Sequence, residues 1–212
     1  MKRAVLAGLI LFAGIAGIGF YAFAGGHVYR GAVQDPPSSS NNVERARVVE
    51  EARKLVGIWY DPLQGYLGNI GGRAGLIVCM DVPVIAYRNA GASIRRLLEA
   101  DYAAHPDRYG VRSGSPGDPF FHRRARNLYA YCKGNDRLDL HGPPQPGDVV
   151  FMSRTPNSAI SHIAVVSQVQ SDGSYSVVEA SRDYLYATRE VDGADLFRRG
   201  WLFRGFGRVL GP

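Results

Sequence analysis

The chain has 212 residues, 46% of them hydrophobic and 21% charged, which is enough apolar material for one core of ordinary domain size and excludes a disordered tail or a fibre. Its 26 Gly and 12 Pro follow no three-residue period and are too many for a helical bundle, so a compact, loop-rich domain is expected. The net charge of +6 comes almost entirely from Arg, since Lys occurs only at Lys2, Lys54 and Lys133; it implies anionic partners, but no long basic run, zinc-finger or RNA-binding signature is present, and no nucleic-acid partner is expected.

Lys2 and Arg3 precede an uncharged apolar run from Ala4 to Gly26. At about 1.5 Å per residue such a run crosses a hydrocarbon core of about 30 Å, which describes a retained anchor. The Ala22-Phe23-Ala24 triplet has instead the small-x-small form of a signal-peptide cleavage site. Residues 1–26 are therefore read as a signal peptide or a single transmembrane anchor. Either reading puts the body of the protein in the cell envelope, periplasmic or extracellular, because the basic pair holds the N-terminus inside. No Cys lies near this run, which excludes a lipoprotein anchor. Residues 27–42 form a linker that includes Gln-Asp-Pro-Pro-Ser-Ser-Ser-Asn-Asn at 34–42, with nothing apolar to bury in that stretch. The folded domain is expected over 43–212.

A first helix is expected where Asn41 and Glu44 have capping-box spacing ahead of Val43, Ala46, Val49, Ala52 and Val56, and Gly57 stops it. Ile58 to Gly75 reads as a Gly-rich loop holding Trp59, Tyr60, Tyr66, Gly71 and Gly72. A second helix covers Val82 to Ala90 with Gly91 as its stop. A third runs from Ser93 to Ala104 with Ile94, Leu97, Leu98 and Tyr102 on one face, and a fourth crosses Arg123 to Tyr131. The pattern then changes to strand-like runs at Val149 to Met152, Ile163 to Val169, Tyr175 to Glu179 and Leu202 to Val209. Helices followed by a meander of strands predict an α+β domain, with N-terminal helices packed on a C-terminal antiparallel sheet.

Chemistry concentrates at Cys79, just before the second helix, and at His162, at a strand start. A thiol beside a helix N-terminus can be held as a thiolate, and an imidazole can take its proton and return it to a leaving group. Pro83 fits the first turn only if the helix starts near Asp81, so Cys79 is expected to precede the helix rather than open it. Ser171-Asp172-Gly173 is a hairpin turn that brings Glu179, on the return strand, beside His162 as the group that orients the ring. An acid between apolar residues such as Val177 and Val178 needs a partner. Cys79, Cys132 and His162 lack metal-ligand spacing, so neither a metal nor another cofactor is expected. The aromatics Trp59, Tyr60, Tyr66 and Tyr87 suit a cleft lining or a core equally.

The run from His162 to Glu179, with Gln145-Pro146-Gly147-Asp148-Val149-Val150 before it, resembles the Pro-Gly-Asp turn and the His and Glu strands of the NlpC and CHAP cysteine peptidases and amidases. Cys79-Met80-Asp81 and His122-Arg123-Arg124 are similar to a bacterial domain family of unknown function in that papain-like superfamily. The resemblance implies a papain-like fold and a hydrolase acting on amide bonds, most simply of peptidoglycan or another cell-envelope peptide. Cys79, His162 and Glu179 would be catalytic. Tyr60 matches a Tyr beside the nucleophile, and Tyr60, Asp81 and His122 would bind substrate. A lipid-directed hydrolase or an acyltransferase shares the same fold. The reading from another class is a noncatalytic envelope-binding module stapled by a Cys79–Cys132 disulfide, as two cysteines in an exported protein often form one.

Overall fold

The computed structural model describes residues 27–31, 35–36, 43–65, 75–184 and 187–211. The apolar segment at 1–26, the Asn41 cap, Tyr66 and the Gly71-Gly72 pair lie outside the described residues. Four helices come first: α1 (Arg45–Arg53), α2 (Asp81–Ala90), α3 (Ile94–Ala104) and α4 (Ala125–Gly134). Then follow β1 (Leu138–Asp139), β2 (Val149–Ser153), β3 (His162–Val169), β4 (Tyr175–Ser181), β5 (Ala187–Asp192), the short helix α5 (Gly193–Arg198) and β6 (Leu202–Gly207). The strands form one six-stranded antiparallel sheet in the order β1-β6-β2-β3-β4-β5. The fold class is α+β, helices packed on an antiparallel sheet, as the change of period predicts. No helix among the described residues is long and apolar enough to cross a membrane.

The main core lies between the helices and one sheet face. Val149, Phe151, Ile163, Val165, Val178 and Ala180 meet Val48, Ala52, Ile85, Tyr87 and Leu98 there. The strand residues of opposite parity, Val150, Met152, Ala164, Val166 and Val177, build a second, smaller cluster with Leu196, Trp201 and Phe206. Both faces of the central strands are therefore buried, which is why they read as apolar runs rather than alternating ones.

Helix α1 departs from its expected face. Val48, Val49, Ala52 and Leu55 are buried, while Ala46 and Val56 are exposed. The stripe at Val48, Ala52 and Leu55 has equally good helical spacing and larger side chains, so it removes more apolar surface from water. The helix cap is Glu44, without a side-chain bond. The domain also begins earlier than expected. His27 and Tyr29 donate backbone hydrogen bonds to Gly57 O and Gly75 O at 2.9 and 2.7 Å, and His27 bridges Ile58. The Arg88 guanidinium donates to the Tyr29 hydroxyl at 2.6 Å. The start of the expected linker is thus held against the domain.

The Pro-Gly-Asp turn joins the two layers. Gly147 has φ +87°, a conformation that favours glycine, and its carbonyl accepts from the Tyr87 hydroxyl. Buried Asp148 accepts from Arg45 of α1 at 2.6 Å and from Gln145 N at 2.9 Å. This motif anchors β2 to the helical layer.

Candidate active site

Cys79 sits in a tight turn over Val78–Asp81. Asp81 N donates to Val78 O, and Val78 N donates back to Asp81 Oδ2, both at 2.9 Å. Arg123 closes the turn from outside with two bonds to the same carboxylate, Nε to Oδ1 at 2.8 Å and Nη2 to Oδ2 at 2.5 Å. Asp81 is fully buried beneath this fork. Helix α2 begins at Asp81 with Met80 as N-cap, so Cys79 stands one residue outside it, as Pro83 requires. The thiol is free and partly exposed.

His162 and Glu179 come from neighbouring strands. Val165 pairs with Val178 and Val166 with Val177, so even positions of β3 share a face with odd positions of β4. That puts His162 and Glu179 on the side of the sheet with the smaller cluster. His162 Nε2 bonds Glu179 Oε2. A carboxylate only accepts, so Nε2 carries the proton and Nδ1 is the nitrogen left to face the Cys79 thiol, whose interaction with the ring is one of the causes that raise the His162 pKa. Burial works against the charged ring, but the bonds to Cys79 and Glu179 outweigh it and raise the His162 pKa to about 9. The Trp201 ring stacks on His162, and the Arg154 guanidinium lies over Trp201, 3.6 Å from the ring centroid.

Glu179 is itself fully buried, and its second oxygen, Oε1, accepts from Arg199 Nη2. Arg199 also reaches Asp183 at 3.0 Å and Asp195 at 3.2 Å. A chain of polar contacts therefore runs Cys79, His162, Glu179, Arg199. Neither end of the Glu179 carboxylate is left without a donor, which a buried charge requires.

Cys79 faces a cleft of two lobes. The larger, about 390 Å³, is walled by Phe120, Arg123, Arg124, Arg126 and Ile160. The smaller, about 250 Å³, is walled by Arg154, His162, Arg182, Asp183 and Trp201. Tyr60, Gln64, Cys79 and Ser161 belong to both lobes. The Tyr60 hydroxyl is kept protonated, because burial and then the charge of Cys79 push its pKa up. Gln64 holds an uncommon φ of +54° for a residue with a side chain.

The structure brings together Cys79, His162, Glu179 and Tyr60. It does not bring Asp81 or His122 to the cleft. Asp81 braces the turn under Cys79, and His122 is buried outside the cleft lining, its pKa lowered by burial and by nearby Arg95. The expected substrate-binding role of these two is not met by their positions: each is turned inward while the neighbouring arginines line the wall. The Cys79–Cys132 disulfide is also corrected. Both thiols are free, and Cys132 is fully buried in α4, where burial raises its pKa. Among the described residues no group of three or more His, Cys, Asp or Glu is placed to hold a metal ion. Arg199, Trp201 and Gln64 are the site residues that sequence reasoning missed. Trp201 directly precedes an apolar strand-like run and reads as part of it, and nothing local marks Arg199.

The family model described as Domain of unknown function (DUF1287) matches residues 63–189, more than half of the chain. The chain belongs to DUF1287. The DUF1287 match contains Cys79, Asp81, His122, His162 and Glu179, whereas Tyr60, Arg199 and Trp201 fall outside it. No curated protein matches the sequence. Among solved structures, the chain is similar to one titled "Structure of NlpC1 from Trichomonas vaginalis", with 15% identity, a TM-score of 0.46, and coverage of 82% of this chain and 46% of that one. This DUF1287 chain thus spans less than half the length of that protein.

Proposed function

We propose that this protein is a papain-like cysteine hydrolase, exported or anchored by its N-terminal segment, that cleaves an amide bond in a cell-wall peptide. The observation that carries the reading is His162, set in the wall of the smaller lobe between the Cys79 thiol, which faces both lobes, and the buried Glu179 carboxylate. The Cys79 proton passes to His162 Nδ1 before attack, as the raised pKa of the ring favours, and the thiolate Sγ then adds to the substrate carbonyl carbon. Glu179 holds the ring through Nε2 and favours its charged form. The Tyr60 hydroxyl, in the wall of both lobes beside Cys79, is the donor for the oxygen that gains charge. His162 then gives its proton to the departing amine, leaving a thioester on Sγ. Water, deprotonated by His162, attacks that thioester, releases the acid and restores the thiol.

The free Cys79 argues against the disulfide-stapled binding module, and the resemblance to cell-wall peptidases supports the substrate class. The test is digestion of purified peptidoglycan and its soluble muropeptides by the full chain and by Cys79→Ala under reducing conditions, followed by mass spectrometry. New fragments from the wild type alone, each broken at one amide bond, are expected. Identical products from both proteins would overturn the assignment.

A further inference from the structure

The cleft carries more positive charge than its own framework uses. Arg123 is committed to Asp81 and Gly65 O. Arg124 is committed to Asp118 and Ser113 O at 2.7 and 2.9 Å. Arg154 lies on Trp201, donates to Arg199 O at 2.9 Å and stands 3.8 Å from Asp183. Two cations remain. Arg126 is half-buried in the wall of the larger lobe, and Arg182 is exposed in the wall of the smaller one. Among the described residues neither side chain makes a hydrogen bond or an ion pair.

The environment of Arg126 is unfavourable to it as it stands. Burial, then Arg124 and Arg112, lower its pKa, and no carboxylate lines its lobe among the described residues. A half-buried guanidinium beside like charges, with its planar fork unused, is a site for a carboxylate brought by something else. Arg182 acts on the same centre from the other side, where its charge is felt by the Tyr60 hydroxyl. Asp183 is the one acid lining that lobe among the described residues, and it is taken up by Arg199.

We infer that the cleft selects acidic peptides, with Arg126 and Arg182 each receiving a carboxylate on opposite sides of the bond that Cys79 attacks. This rests on the proposed hydrolase and names its substrate class. The pairing gives the anionic substrate charge-assisted contacts inside the cleft, and it fixes the register of the peptide over the thiol.

The test uses two reagents of nearly equal size, anionic iodoacetate and neutral iodoacetamide. The full chain is alkylated with each at low and moderate salt, and modification at Cys79 is followed by peptide mass spectrometry. The iodoacetate to iodoacetamide rate ratio is expected to exceed that of free cysteine and to fall with salt. Arg126→Gln and Arg182→Gln are each expected to lower the ratio roughly threefold or more, the size of one partly screened ion pair, and Arg126→Lys to recover much of it. Neither substitution removes a group that supports the fold. Arg47→Gln, on the exposed side of α1, removes the same charge and should leave the ratio unchanged. Equal ratios in all variants, or a drop in Arg47→Gln as large as the others, would overturn the inference. An effect at only one of the two cleft arginines would overturn the two-sided arrangement. The absolute iodoacetamide rate reads thiol activation separately. A slow rate with a selective ratio counts against the hydrolase alone, and a fast rate with an unselective ratio counts against the anion sites alone.

Discussion

Trp201 lies flat against His162, with ring centroids 4.5 Å apart and planes inclined by 17°. One face of the imidazole is thereby closed to water, and the indole is in turn covered by Arg154. The stack limits rotation of a ring whose two nitrogens face different partners. Trp201→Ala should lower stability by about 3–5 kcal/mol, as for a large buried aromatic, and slow Cys79 alkylation. Trp201→Phe should recover most of the alkylation rate. Thermal unfolding and iodoacetamide kinetics on the same three proteins check this.

Arg199 acts through Glu179. Replacing it by Ala leaves a fully buried carboxylate with His162 as its remaining charged partner and should cost about 3–5 kcal/mol. Arg199→Lys keeps the charge but cannot reproduce contacts to Glu179, Asp183 and Asp195 at once. It should therefore fall between wild type and Ala in urea midpoint. A purely structural role would leave the pH profile of Cys79 alkylation in place. A positioning role predicts that the profile moves in Arg199→Lys.

The pKa of His162 sets a pH window for stability. Its folded value is raised to about 9 from an ordinary 6.5, so its contribution is complete below about pH 6.5 and is lost as pH rises through 9. The wild-type melting temperature should decline over that interval, and His162→Gln should flatten the decline. NMR titration of the His162 ring locates the midpoint directly; a midpoint near 6.5 would contradict the strong coupling to Cys79 and Glu179.

Asp81 and Arg123 make a pair that is almost wholly buried. Asp81→Asn should destabilise the chain by about 3–5 kcal/mol, because an uncompensated Arg123 remains, and should loosen the turn that presents Cys79. Equilibrium unfolding checks the magnitude. A substrate-contacting Asp81 would instead leave stability intact and change only KM.

Those residues also show how far the sequence could be read. Helix α2 and its stop were legible because Pro83 and Gly91 constrain the backbone locally, and the Ser171-Asp172-Gly173 turn fixes the β3–β4 hairpin and hence the His162–Glu179 pairing. Strand β5 was not legible. Its Ala-Thr-Arg-Glu-Val-Asp sequence is that of a charged edge strand, which avoids the apolar signal a buried strand carries. The role of Asp81 was hidden for a different reason. Its place beside Cys79 is visible, but the Arg123 that turns it inward lies on a distant short helical turn. Arg199 and Trp201 reach the site only through the packing of α5 and β6 against β4 and β2, and no local pattern encodes that.

The most direct measurement is the rate of iodoacetamide alkylation at Cys79 between pH 5 and 10, for wild type, His162→Gln and Glu179→Gln. Free cysteine reacts only as its thiol ionises near pH 8.5, roughly its ordinary pKa. The account predicts that wild-type Cys79 is alkylated faster than free cysteine at neutral pH, that His162→Gln slows it to the free-thiol rate, and that Glu179→Gln gives a rate between the two. A wild-type rate that follows free cysteine throughout, unchanged by either substitution, would contradict the activated thiol on which the proposed hydrolase depends.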